Sequence, residues 1–250
     1  NDLVERPNLL SPSTMATNPY EAPRVETSRA GVPGAPGQVE DWTIGEALGS
    51  AWDAVKRQPL ELVGGYTLVL VIGMALQQIP KFLISGEDMS SVLIAAFISF
   101  GISIFVNSFF LVGQTRVALA AVRGESVDFG LYFSGGDRFG VTLIALFLMY
   151  LGIMLGMVLL IVPGLILLFG WTLTSFVIAD TDASPTEALG RSWELTRGHR
   201  LHLFGYFFVG GLLMIAGVIA LFIGVLVALP VVFIGVGEIY VRLTGTRTRR

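Results

Sequence analysis

Residues 201–243, LHLFGYFFVGGLLMIAGVIALFIGVLVALPVVFIGVGEIYVRL, run for over forty positions with Glu238 and Arg242 as their only charged side chains. An α-helix rises 1.5 Å per residue, so this stretch is about twice the length that crosses ~30 Å of hydrocarbon. It reads as two successive spans, about 201–221 and 225–242, divided around residues 222–224 with Pro230 inside or near the start of the second.

The same reading extends toward the amino terminus. The chain has 250 residues, 53% hydrophobic and 14% charged, with a mean hydropathy of +0.73, against roughly 45–50% apolar and ~25% charged in soluble domains. A core of this size does not hide so much apolar side chain, so lipid is the solvent for part of it. Further apolar windows fall at about 62–79, stopped by Pro80, and at about 91–115, with Arg116 and Arg123 marking the exit. Two more fall at about 139–160 and 165–179, joined through Val162-Pro163-Gly164, where proline suits a first helical turn whose amide has no partner anyway. The expected fold is an all-α, polytopic integral membrane helix bundle of about six spans.

Residues 1–40 hold six of the eleven prolines and no apolar run of signal-peptide type, and read as a disordered Pro/Gly-rich tail. Met15, shortly before Asn18-Pro19-Tyr20, is a candidate start. The membrane domain covers 41–243, and 244–250 is a basic tail. The absence of cysteine excludes disulfides and thiolate chemistry. A net charge of -3, with basic residues scattered at helix ends, gives no footprint for a nucleic acid.

Two amphipathic surface helices are expected. In 43–57, Ile44, Leu48, Ala51, Trp52 and Val55 recur at helical spacing, and Thr43 with Glu46 forms a capping box. In 184–197, Ser184-Pro185-Thr186-Glu187 is a second capping box with proline at the first helical position. Residues 126–133 read as a further interfacial piece. EALGSAWD from Glu46 matches EALGRSWE from Glu187, and the match continues through Leu60/Leu201, Leu62/Leu203 and Gly64/Gly205 at a constant offset of 141. One unit thus occurs twice, before a span each time, with an even number of spans between the copies and so in parallel topology. Among the lysines and arginines of the membrane domain, only Lys81 falls on one side. Lys56, Arg57, Arg116, Arg123, Arg138, Arg191, Arg197, Arg200 and Arg242 fall on the other. The positive-inside rule then places both termini in the cytoplasm.

The series Ile161-Val162-Pro163-Gly164, Phe176-Val177-Ile178-Ala179-Asp180 and Ser184-Pro185-Thr186-Glu187-Ala188-Leu189-Gly190-Arg191-Ser192-Trp193 resembles a broad group of bacterial membrane proteins of unknown function. That group is similar to the membrane domain attached to some glycerophosphoryl diester phosphodiesterases. The resemblance implies a multi-span fold with interfacial helices and supplies no reaction.

Within the spans, Ser99, Ser103, Asn107 and Gln114 share one face of the second. They line a polar pathway or make interhelical hydrogen bonds. Glu238 is an intramembrane carboxylate, a default functional candidate, with Arg242 one turn on as its ordinary partner and Arg116 as another. Lys56, Arg57, Arg191, Arg197 and Arg200, with Trp52 and Trp193, are candidates for lipid headgroup contact or for fixing topology alone. His199 and His202 lie one turn apart at the mouth of span five, beside Arg200, and are read as headgroup-facing because no third ligand adjoins them. Gly152 and Gly156 permit a close helix contact, within the chain or between copies. No catalytic, metal or cofactor set is recognised: there is no nucleophile elbow, no phosphate-binding loop and no carboxylate pair within a span. The expected function is a non-enzymatic bacterial inner-membrane protein that organises lipid, a partner membrane protein or a second copy of itself. The alternative is a transporter or channel component using the span-two polar face with Glu238.

Overall fold

The computed structural model describes residues 42–80, 84, 88–219 and 223–246. The amino-terminal tail, the loop positions of Lys81 and Glu87, the divide at 220–222 and the last arginines lie outside the described residues. Among the described residues every regular element is helical. Helix α1 is Ile44–Arg57, and its capping box is formed: the Glu46 amide donates to Thr43 Oγ1 and the Thr43 amide to Glu46 Oε2, both at 3.3 Å. After Pro59 one π-helical turn, Leu60–Gly64, leads into α2, Gly65–Leu76. The run Leu60–Leu76 is bent by 100° from α1, so α1 lies across the end of the first span.

Helix α3, Met89–Arg123, is 35 residues long, capped by Asp88 and ended by Gly124 at φ 76. At 1.5 Å per residue it is about 50 Å long, well beyond the hydrocarbon. Arg116 lies inside this helix and Arg123 is its last residue. Residues 117–122 are buried, and the elements packed on α3 there include α6 and α9, defined below. Protein takes the place of lipid along those turns.

The piece expected at 126–133 is instead a 3-10 segment, Phe129–Arg138, pressed onto α3. Gly113 and Gly135 make this approach available: a Cβ on either would meet the backbone carbonyl of Tyr132 or of Phe109. Tyr132 is fully buried and donates to the Glu61 carbonyl at 3.1 Å, so the segment braces the first two spans.

Helix α4 is Phe139–Leu159. Span four is two helices, α5 (Ile161–Gly170) and α6 (Thr174–Asp180), with Pro163 in the first turn and a break at 171–173. The surface helix α7, Pro185–Leu195, carries the second formed capping box. Helices α8 (Arg200–Ile219) and α9 (Ile223–Thr244) complete the chain, with Pro230 inside α9. Among the described residues five runs are long and apolar enough to cross a membrane, and the bent pair of α1 with Leu60–Leu76 makes a sixth. The chain is a multi-pass membrane protein. Side chains such as Phe97, Leu159 and Ile219 are broadly exposed, as lipid contact requires and water does not allow over so large an area. The inner residues Ile234, Ile239, Tyr240 and Val241 place α9 at the core, where α1, α3 and α8 meet it.

Candidate functional site

The charged side chains gather where α1, α6 and α7 meet the ends of α3 and α9. Arg242 joins two elements: its Nε donates to Glu238 at 2.8 Å and its Nη1 to Glu46 at 2.9 Å. Glu238 is fully buried and Glu46 half exposed. The hydrogen bond from the Thr43 amide, and then the Arg242 guanidinium, hold the Glu46 carboxyl below its usual value. Arg123 pairs with Asp180 at 2.6 Å, and the Tyr240 hydroxyl donates to the other oxygen of Asp180 at 3.2 Å. Arg116 donates to the Ser134 carbonyl at 2.7 Å and to Asp137 at 2.6 Å. Arg138 pairs with Asp182.

The headgroup candidates divide. Arg191 pairs with Glu187 at 2.6 Å and Lys56 with Asp53 at 2.7 Å, both on the surface, where such pairs are worth ~0–1 kcal/mol and exchange easily. Among the described residues Arg57 donates only to the Asp53 carbonyl, at 3.3 Å. Arg197 is exposed and makes no ion pair among the described residues. The guanidinium of Arg200 stacks 3.5 Å over the Trp193 ring. Trp193 is itself half buried against Gly170, where a Cβ would strike its ring, so it anchors protein to protein. Trp52 does not join the buried face of α1, which is Ala47, Ala51, Ala54 and Val55; it is 46% exposed.

Asn107 is exposed and Ser99, Ser103 and Gln114 are half buried. The Asn107 amide donates within its own helix, to the Ser103 carbonyl at 2.9 Å and the Ser103 hydroxyl at 3.3 Å, so those bonds are not interhelical. Of the four, only Asn107 reaches a cavity of about 310 Å³ bordered by α3, α4, α5, α6, α8 and α9. Glu238 does not line that cavity, although Val232, Phe233 and Val236 of the same helix do. Asn107 and the buried carboxylate do not share this cavity.

His199 and His202 stand 6.4 Å apart between ring centroids. The buried Trp42 ring packs edge-on at 6.1 Å against His202, which makes His202 part of the seat for α1. Among the described residues no three His, Asp or Glu side chains are grouped to hold a metal. Gly152 and Gly156 face Trp171 and Gly164, so their close contact is made within the chain. The Arg123–Asp180–Tyr240 group was not visible in sequence; its members lie 57 and 60 residues apart and no local pattern joins them. No family model matches the chain, and no curated protein or solved structure matches it.

Proposed function

We propose that the chain is a non-enzymatic protein of the bacterial inner membrane that gathers anionic lipid, a partner membrane protein or a second copy of itself at the face bearing α1 and α7, with both termini in the cytoplasm. One observation carries this reading. Helix α1 rests on the bundle through a row of small buried residues and turns Trp52, Lys56 and Arg57 outward, while the deeper cations at that end are held by protein. An inner face fixed to protein and an outer face that is basic and aromatic suit a helix lying among headgroups. A duplicated origin for α1 and α7 is part of the proposal. It is supported by the two capping boxes and by the burial of Ala47 and Ala188, Ala51 and Ser192, Leu62 and Leu203 at matched positions. The likeness to the membrane domain of some phosphodiesterases enters on the same terms.

Native mass spectrometry of protein purified from membranes containing phosphatidylglycerol tests the reading. Wild type should retain anionic lipid, and a Lys56→Gln, Arg57→Gln, Arg197→Gln variant should lose most of it. Equal retention would remove the headgroup role. Because the chain has no cysteine, single cysteines placed at Glu194 and Thr248 report topology directly; both should label from the cytoplasmic side.

The cavity beside Asn107 favours a second reading, passage of an uncharged solute. Flux into liposomes that falls with Asn107→Leu but not with Glu238→Gln would promote it.

A further inference from the structure

Inside a bundle of spans a hydroxyl settles its hydrogen bond on the carbonyl one turn earlier, because hydrocarbon offers no partner. Thr142 does so on the Arg138 carbonyl at 3.0 Å, Thr172 on Leu168 at 3.0 Å and Ser108 on Ile104 at 2.7 Å. Ser175 does not. The carbonyl one turn before it belongs to Trp171, at the break between α5 and α6. That oxygen already accepts the Thr174 amide at 3.1 Å and the Thr174 hydroxyl at 2.8 Å. Both lone pairs are used, and the Ser175 hydroxyl finds no hydrogen-bond partner among the described residues.

Asn107 presents the complement. Its Nδ2 faces the Ser103 carbonyl, which only a donor can do, so Oδ1 is turned away. No donor among the described residues reaches that oxygen. A spare donor on α6 and a spare acceptor on α3 thus border the same cavity of about 310 Å³. Thr142, Thr172 and Thr174 also border it, with their hydroxyls already bonded to nearby backbone carbonyls; the rest of the wall is apolar or aromatic, including Trp171, Phe207 and Phe233, and no charged side chain takes part. Tyr150 and Leu168, at its edge, are each 41% exposed on the lipid-covered part of the bundle, so the way in is from the bilayer.

We propose that this cavity binds a neutral lipid bearing a free hydroxyl, of the diacylglycerol class, whose hydroxyl donates to Asn107 Oδ1 and accepts from Ser175 Oγ. One small group that both donates and accepts satisfies both side chains, and the apolar wall suits the body attached to it. A phosphorylated headgroup is excluded because no cation awaits it. The proposal rests on the membrane placement of the chain and not on the basic surface helices, so the Lys56, Arg57, Arg197 variant should bind this lipid as wild type does.

Trp171 on the cavity wall supplies the test. Protein in phosphatidylcholine nanodiscs is titrated with diacylglycerol brominated on its acyl chains, with Trp171→Phe as the control for the other tryptophans. The expected result is saturable quenching of the Trp171 signal, reversed by unlabelled diacylglycerol. Asn107→Leu should weaken the apparent affinity about tenfold, or about 1.4 kcal/mol. Ser175→Ala, a change small enough to leave the fold intact, should weaken it several-fold. Equal, non-saturable quenching by brominated phosphatidylcholine would overturn the proposal, since bulk acyl chain would then fill the space. Saturable binding indifferent to both substitutions would also overturn it, because the two polar groups would then serve water only.

Discussion

Helices α1 and α7 begin alike and are held by opposite means. Each opens with a formed capping box and buries an alanine at the same place, Ala47 or Ala188. One turn later Ala51 stands where α7 has Ser192, both fully buried. Ser192 donates to the Gly170 carbonyl at 2.9 Å and accepts the Leu173 amide at 3.2 Å, and Thr196 reaches the same carbonyl at 3.0 Å. Helix α7 therefore satisfies the backbone that the break in span four leaves open. Helix α1 mends no break in a span; its C-cap, Gln58, donates to the Glu125 carbonyl at 2.9 Å and accepts the Val127 amide at 2.8 Å. It lies on α9 through small side chains, and a chain of charge, Glu46 to Arg242 to Glu238, fastens it to a helix 196 residues away. Two hydroxyls, Ser192 and Thr196 where α1 has Ala51 and Val55, separate a helix that completes a span from one that rests on the bundle and keeps its outer face free.

Breaking the charged link should have the largest effect. Arg242→Met leaves Glu238 buried without its cation and should cost ~3–5 kcal/mol, whereas the double change Arg242→Met with Glu238→Leu should recover most of the loss. Denaturant midpoints in one detergent measure both, and equal losses would show that the pair is not what holds this end of α9. Next comes Ser192→Ala, which strands the Leu173 amide and should cost ~1–3 kcal/mol. The reciprocal Ala51→Ser gains a hydroxyl that has the Ala47 carbonyl one turn back, and should cost less than about 1 kcal/mol. Similar losses from the two exchanges would erase the distinction between the helices.

What the sequence makes legible is local or long. Capping boxes are set within four residues, Glu238 and Arg242 share one turn, and an apolar window of twenty residues has one common solution in a bilayer. The overrun of α3 was not legible because residues 117–122, VALAAV, are equally apolar whether lipid or protein covers them. The buried face of α1 is narrower than its apolar stripe, and leaves Trp52 exposed, for a different reason. Spacing ranks residues by hydropathy, whereas the approach to α9 is so close that a Cβ on Gly235 would crowd Tyr206 and the Ala47 carbonyl, and size decides. The cavity beside Asn107 depends on the break at Trp171; Gly170 ends the helix just before it, but glycine is common in spans and does not by itself announce a break, and Pro163 sits in a first turn.

The two caps give a smaller and more even test. Thr43→Ala and Ser184→Ala each remove the acceptor for the amide of a first-turn glutamate, Glu46 or Glu187, at ~1 kcal/mol. Because α7 closes the span-four break, its loss should also speed hydrogen exchange at residues 171–173, where Thr43→Ala should leave exchange unchanged. Matched exchange in both variants would mean that Ser192 holds the break without help from the cap.

The least of these effects is the acid limb of stability, and it isolates the charge that distinguishes α1. The Glu46 carboxyl is held below its ordinary value of 4.5, first by the Thr43 amide and then by Arg242. A carboxylate whose folded pKa is depressed contributes stability that is fully present above the unfolded value and is lost as pH falls through the folded one. Neutral to mildly acid pH should therefore leave the α1 link unchanged, with weakening confined to pH below about 4.5. Glu46→Gln keeps an acceptor for the amide but has no charge to lose, so its unfolding midpoint should fall less than that of wild type over that acid range. If both fall equally, the acid sensitivity belongs to carboxylates elsewhere, and α1 is held on α9 by its small buried side chains alone.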